Sequence, residues 1–394
     1  MDSVDKWLLP EGVEEILPAE AYKLEVLRRH LLDLYEGWGY ELVLTPLVEF
    51  LESLLVGPSQ DLDVHTCKIT DQISGRMMGV RADMTPQVAR IDAHCLNRQG
   101  PVRLCYADTV MHTKPRGLLT SRLPYRAGAE FYGEQSISCD VELVCLMLET
   151  LAVAEVVDVQ IVLGHVGIYR SLVQAADLGV SAEAKLNDAV QRKAYDEIDE
   201  VLSSAVDEEY LRNLLSALTR LSGGESILHD AVQKFSDAPL DVKKKLEELT
   251  IISDAVKVRI PDVKICFDLC ELRGYDYHTG IVFAAYTPAY GRAIAKGGRY
   301  DSIGEVFGRS RPASGFDTDL KTLVKLSSSA FDRQGAILAP VSNDPKLSEK
   351  ITNCRSEGRI VISCSERELQ DEEIMRELRA SSTLVLASGE WVVR

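Results

Sequence analysis

CELRGYDYHTGIVFAAYTPAYGRAIAKGGRY, running from Cys270 to Tyr300, is the stretch on which the reading of the fold turns. It sets an arginine, several tyrosines, a histidine and many glycines between two runs of strand character. Arg273 has the planar fork that clamps a carboxylate or phosphate. Tyr275, Tyr277 and His278 offer ring faces with polar tips, and Gly274, Gly280, Gly297 and Gly298 admit a close backbone approach. That is the composition of a ligand pocket. An antiparallel hairpin whose tyrosines only line a core would look much the same, so the stretch needs its surroundings.

Those surroundings first set bounds. A chain of 394 residues supports a large core and more than one domain. With 46% hydrophobic and 27% charged residues it has the make-up of a soluble globular protein. A net charge of -17 disfavours a broad nucleic-acid face, which needs clustered Lys and Arg, so no nucleic-acid or membrane partner is expected. MDSVDKWLLPEG has no apolar core of signal-peptide length and no run reaches membrane-span length, which places the expectation in the cytoplasm. Nine cysteines are scattered without a disulfide framework and read as reduced thiols. Cys266 and Cys270 flank FDL with too few neighbouring ligands for zinc, so neither metal nor cofactor is expected.

LRGYDYHTGIVF (272–283), KGGRYDSIGEVFG (296–308) and ASGFDTDL (313–320) together resemble the histidine signature and third class motif of histidyl-tRNA synthetase. LPEGVEEILPAEA (9–21), GWGYELVLTPLVEF (37–50), GVRADMTPQVAR (79–90) and SRLPYRAGAEFYG (121–133) extend the likeness over almost the whole chain. The resemblance implies an α+β fold: a class II aminoacyl-tRNA synthetase-like antiparallel sheet flanked by helices. It leaves two branches open, the synthetase itself and its catalytically silent relative, the regulatory subunit of ATP phosphoribosyltransferase in histidine biosynthesis.

Along the chain, Ala21, Leu24, Leu27, Leu31 and Leu34 recur at helical spacing from Pro18 to Gly37, and the glycines at 37 and 39 end the helix. Tyr40 to Pro46 reads as a strand and resembles the first class motif, on which class II synthetases dimerise, so a homodimer is implied. CKITDQISGRMMGVRAD (67–83) reads as a hairpin turning at Ser74 and Gly75, followed by a helix from Pro86 to Leu96. RLCYADTVMHTKPRGLLTSRLPYRAGAEFYG (103–133) reads as two strands with a loop between. Asp140 to Val153 has helical spacing, and VDVQIVLGHVGIY (157–169) reads as a buried strand turning at Gly164. Residues 170–255, rich in Ala, Leu, Glu and Lys, read as a helical insertion broken at Gly179, Gly223 and Pro239, with charge-laced faces turned to solvent.

Domain bounds follow: a class II-like domain over 1–326 and, after a short polar linker, a small α/β domain over 331–394. The latter alternates AILAP, KLSEKITNCRSEG, RIVISC, ELQDEEIMRELRA and STLVLASGEWVVR. It is similar to a cut-down anticodon-binding domain.

The resemblance also assigns a histidine-binding set: Asp83 and Thr85 for the amino group, Glu130 for the imidazole, and Arg273, Tyr277 and His278 from the signature. Asp83 or Thr85 could instead serve only as a helix N-cap, and Glu130 could be a solvated strand residue. Two positions of the pocket, Arg126 beside this set and His278 within it, limit the match to the synthetase pattern. Arg126 stands where a glutamine lies near the amino group, where a cation is unfavourable unless it turns away or pairs with an acid. His278 replaces a tyrosine.

The ATP grips depart more sharply. Met111 and Thr113 occupy the places of the arginine and acid of the second motif, and a thioether neither donates a hydrogen bond nor neutralises phosphate. Thr322 occupies the arginine position of the third motif, and adjacent Lys321 is rotated about 100° around the helix. Losing such donors costs on the order of 3 kcal/mol or more of transition-state stabilisation. The leading expectation is therefore a non-catalytic regulatory subunit that binds histidine and assembles with a short-form ATP phosphoribosyltransferase catalytic subunit. An active histidyl-tRNA ligase and a pure interaction scaffold remain the alternatives.

Overall fold

The computed structural model describes residues 7–394 apart from 56–59, 116, 118, 119, 273, 276, 330 and 332, with only the backbone of 60 and 61. The described chain divides into two compact units, Met1–Ser329 and Ala330–Arg394.

The first unit is built on a nine-stranded sheet. Six central strands are mutually antiparallel in the order Val102–Thr109, Tyr125–Tyr132, Ala313–Asp319, Tyr290–Arg299, Ile281–Thr287 and Gln160–His165. Two parallel pairings extend it: Glu41–Leu42 beside the first, and Lys264–Asp268 beside the last. Ser222–Gly223 closes that far edge. The helix Pro18–Gly37 buries Leu24, Leu27, Leu31 and Tyr35 at helical spacing, and Gly39 turns the chain at φ +82°. Ile137–Val153 is apolar nearly all round and buried accordingly.

The hairpin is present as Cys67–Thr70 and Met77–Val80, with Gly75 at φ +71° and the Asp71 carboxylate accepting from the N–H groups of Ile73 and Ser74. Val48–Phe50 joins it in a separate three-stranded sheet.

Several expected boundaries move. The Tyr40–Pro46 strand shrinks to Glu41–Leu42, with Val43 N–H still donating to Cys105 O. Beyond it the buried Arg81 guanidinium takes both Thr45 O and Thr45 Oγ1, drawing the chain off the ladder. The helix expected over 86–96 is Thr85–Arg90 continued by a π-helical Ile91–Leu96. The chain does not turn at Gly164. The strand runs on to His165, whose Nδ1 accepts from Gly167 N–H and starts the helix Val166–Ala175. In the insertion, Gly179 and Pro239 precede the helices Val180–Gln191 and Leu240–Arg259, and the latter passes residue 255.

In the second unit the sheet order is Val361–Cys364, Ala336–Pro340, Ala380–Ala387, Glu390–Val393. The first two pairings are parallel. STLVLASGEWVVR is not one run: Ser388 and Gly389, at φ +52° and +82°, make the tight turn of an antiparallel hairpin. Ile337, Ala339, Leu347, Cys354, Val361 and Leu384 form its core.

Candidate functional site

Strand alternation gathers the site. On Tyr125–Tyr132 the residues Arg126, Gly128 and Glu130 share one face. Opposite them stand Asp108, Tyr106 and Leu104 on one neighbour and Asp319, Asp317 and Gly315 on the other. A face so formed is acidic, with a floor of Met84, Val88, Leu104, Tyr106 and Tyr300 beneath. Glycine is required within it, because a Cβ at Gly315 would fall on Glu130 Oε2 and Tyr300 OH, and one at Gly128 would meet Phe316 O and Tyr106 OH.

Glu130 lies at the centre, 1% exposed, which removes the solvated alternative. Its Oε1 accepts from Thr85 Oγ1 at 2.9 Å and Tyr106 OH at 3.3 Å, and its Oε2 accepts from Tyr300 OH. Every donor among the described residues is a hydroxyl. Burial pushes the carboxyl well above its ordinary range, with Asp83 and Asp317 adding to the shift against the pull of Thr85 and Tyr106.

Tyr277 stacks on Tyr300, ring centroids 5.0 Å apart, and meets His278 edge to face at 5.2 Å. Tyr277 OH, His278 Nδ1 and Tyr132 OH are buried polar atoms without a hydrogen-bond partner among the described residues. Such orphans fit a site that a polar ligand completes. Burial lowers the His278 pKa to about 4, with Lys296 acting the same way, so the ring is neutral near pH 7.

The helix N-cap is Met84 rather than Asp83 or Thr85; Asp83 Oδ1 accepts from Thr85 N–H at 3.0 Å, just ahead of the helix, while the Thr85 hydroxyl turns to Glu130. Arg126 pairs with an acid: its Nη1 lies 3.3 Å from Asp317 Oδ2. Burial opposes its charge, but Asp317, Asp319 and Asp83 outweigh that and keep it a cation. Arg273 lies outside the described residues.

The expected ATP grips are elsewhere engaged. Met111 sits beyond the strand end at Thr109 rather than on the strand, and its N–H donates to Arg81 O. Thr113 Oγ1 donates to Val64 O at 2.7 Å. Thr322 Oγ1 donates to Asp319 Oδ2 at 3.0 Å, inside the cap of its own helix Leu320–Leu326. Lys321 Nζ reaches Glu14 Oε1 at 3.0 Å, and Arg122 is taken by the carbonyls of Glu11 and His112.

A groove of about 500 Å³ between the helices Val180–Gln191 and Tyr195–Ala205 is the open concavity of the insertion. Its Arg192 is already paired with Asp188 and Glu197, so it reads as solvated helix surface. Among the described residues no group of three His, Cys, Asp or Glu is placed to hold a metal, and no helix is long and apolar enough to cross a membrane.

The geometry can be set beside known proteins. Residues 12–323 match the family model for histidyl-tRNA synthetase, and 334–394 match that for the ATP phosphoribosyltransferase subunit HisZ C-terminal domain. Proteins described as ATP phosphoribosyltransferase regulatory subunits from Stutzerimonas stutzeri and Azotobacter vinelandii are 52% and 51% identical over 394 residues, covering 100% of this chain and 99% of each relative. The chain belongs to the ATP phosphoribosyltransferase regulatory subunit family. Solved structures agree at the level of fold. An ATP phosphoribosyltransferase regulatory subunit/histidyl-tRNA synthetase from Bacillus halodurans superposes with a TM-score of 0.83 at 24% identity, covering 97% of this chain and 99% of that one. Histidyl-tRNA synthetase from Nostoc sp. PCC 7120 gives 0.78 at 18%, over 98% and 96%. The class II synthetase-like architecture is thus the fold that this chain shares with both solved structures.

Sequence reasoning had singled out Asp83, Thr85, Glu130, Tyr277 and His278. Of these, Thr85 bonds Glu130 directly, Asp83 acts on it electrostatically, and Tyr277 stacks on the Tyr300 ring that bonds it. It missed Tyr106, Tyr300, Gly315 and Asp317. The alternating positions of ASGFDTDL, carrying Gly315, Asp317 and Asp319, were the available signal.

Proposed function

We propose that this chain, as the regulatory subunit of ATP phosphoribosyltransferase, binds free histidine in the pocket around Glu130. It thereby sets the activity of a short-form catalytic subunit that needs it, as feedback inhibition at the first step of histidine biosynthesis. It is not itself the glycosyltransferase and uses no cofactor. The observation that carries this reading is the Glu130 carboxyl, buried against hydroxyls among the described residues. An imidazole supplies an N–H that favours the ionised carboxylate, and a hydrogen bond to a group so charged contributes about 1.5 to 3 kcal/mol. Asp83 and the lone pairs of Thr85 suit the ammonium, and the family resemblance gives Arg273 to the carboxylate. Tyr277 OH and His278 Nδ1, without a hydrogen-bond partner among the described residues, suit the remaining contacts.

The ligase alternative is opposed by Met111 and Thr322, which offer phosphate no charge. Exposed Leu42, Leu44 and Leu47 fit a self-association surface, so the working form is read as a dimer, in the cytoplasm. The test is calorimetric titration of the purified chain with L-histidine, alongside histidine-dependent exchange between ATP and pyrophosphate. Binding without exchange is expected. Robust exchange, or no binding, overturns the reading.

A further inference from the structure

We infer that Glu183, Tyr275 and Arg170 form a clasp through which the helical insertion reads whether the pocket is occupied. This rests on the histidine reading above.

Arg170, on the helix Val166–Ala175, donates from Nη2 to Tyr275 O at 2.9 Å and His278 O at 3.2 Å. One guanidinium thus grips both ends of the short stretch that carries Tyr277. Its carbon also lies 4.8 Å from the Tyr275 ring centroid, and Tyr169 meets the same ring edge to face at 5.5 Å. From the insertion helix Val180–Gln191, Glu183 Oε1 accepts the Tyr275 hydroxyl at 2.8 Å. The phenol remains a donor, since burial raises its pKa to about 12.

Gly274 turns at φ +74°, and Gly274 O accepts from the N–H groups of both Tyr277 and His278, at 2.9 and 2.8 Å. These bonds, with the Arg170 grip on Tyr275 O and His278 O, couple Tyr277 and His278 to Tyr275. Because Tyr275 is also tied to Glu183, a fixed pocket wall fixes the insertion helix, and a loose wall loosens it. Local opening energies differ widely within one protein, so this link is readable as amide exchange. Arg170 and Glu183 are positioning residues: the ligand is read by the wall they hold.

Hydrogen exchange of the full chain, with and without saturating L-histidine, tests the clasp. Calorimetry first establishes that wild type binds; failure there overturns the histidine reading itself. In wild type, histidine is expected to slow exchange severalfold in both 272–280 and 180–191. Glu183→Ala is expected to bind histidine within about threefold of wild type yet lose the slowing in 180–191 alone. Glu183→Gln, whose amide oxygen still accepts, is expected to restore it. Arg170→Met, which keeps the apolar stem but has no donor for either carbonyl, is expected to weaken histidine at least about tenfold. Wild-type binding without slowing in 180–191, or slowing that persists in Glu183→Ala, overturns the clasp, and unchanged affinity in Arg170→Met removes that residue from it.

Discussion

Arg126 and Asp317 stand on adjacent strands of the pocket face with Nη1 3.3 Å from Oδ2, each less than one-fifth exposed. The pair turns an arginine that would repel an ammonium into an internally neutralised group. Opposite effects are expected from its two halves. Asp317→Asn strands the cation, destabilising the fold by about 1.5 to 3 kcal/mol and weakening histidine. Arg126→Gln also costs stability but leaves Asp317 free to attract the ammonium, so histidine binding holds or tightens. Urea denaturation and calorimetry on both variants check the two signs.

Gly315→Ala places a methyl group where Glu130 Oε2 and Tyr300 OH meet. Displacing that carboxyl is expected to abolish measurable histidine binding and to destabilise by about 1 to 3 kcal/mol, the range for overpacking. Gly291→Ala, on an exposed strand end with open space around it, is the control and should stay within about 0.5 kcal/mol of wild type.

Glu130→Gln keeps the volume but takes away a carboxyl that can ionise against a bound imidazole N–H. Histidine binding is expected to weaken by about 1.5 to 3 kcal/mol, and the complex with a catalytic subunit should keep basal activity while needing more histidine for inhibition. A pH signature accompanies it. The folded chain holds this proton above the ordinary value of 4.5, so the unfolded chain releases it first as pH rises. Stability tied to Glu130 is therefore full below about 4.5 and lost as pH climbs toward the raised folded value, with a slope of at most about 1.4 kcal/mol per pH unit. Denaturation midpoints at pH 5 and pH 8 should fall further apart in wild type than in Glu130→Gln, and equal spacing counts against a buried protonated carboxyl.

Leu44, 73% exposed, follows the edge strand Glu41–Leu42 of the large sheet, with exposed Leu42 before it and exposed Leu47 after it in sequence. Leu44→Glu is expected to release monomers, read by sedimentation velocity against a dimeric wild type. A wild-type monomer in the absence of partner contradicts the self-association surface.

Local pattern made much of this fold legible. The helix Pro18–Gly37 follows from leucine spacing and from glycine's access to positive φ at residue 39, and the turn at Ser74 and Gly75 from the same chemistry. What escaped depends on register between distant segments. Nothing near Glu130 in sequence announces that Tyr106 and Tyr300 will supply its hydroxyls, or that Gly315 will lie opposite it. Arg126 raised a question that only strand pairing with 313–319 could answer. The shortened Glu41–Leu42 strand reflects competition, because a buried Arg81 captures the oxygens of Thr45 that a longer ladder would need. The hairpin at Ser388 and Gly389 was within reach, since Ser-Gly between two apolar runs is a turn signal.

The polar groups around Met111 and Thr322 are not idle. Thr322 bonds Asp319, which caps their helix, Lys321 is held by Glu14, and Arg122 ties down the backbone near Glu11. An arginine placed at 322 would find these bonds standing in its way, and removing them would cost stability. Gaining a phosphate contact here would therefore take several simultaneous changes rather than one.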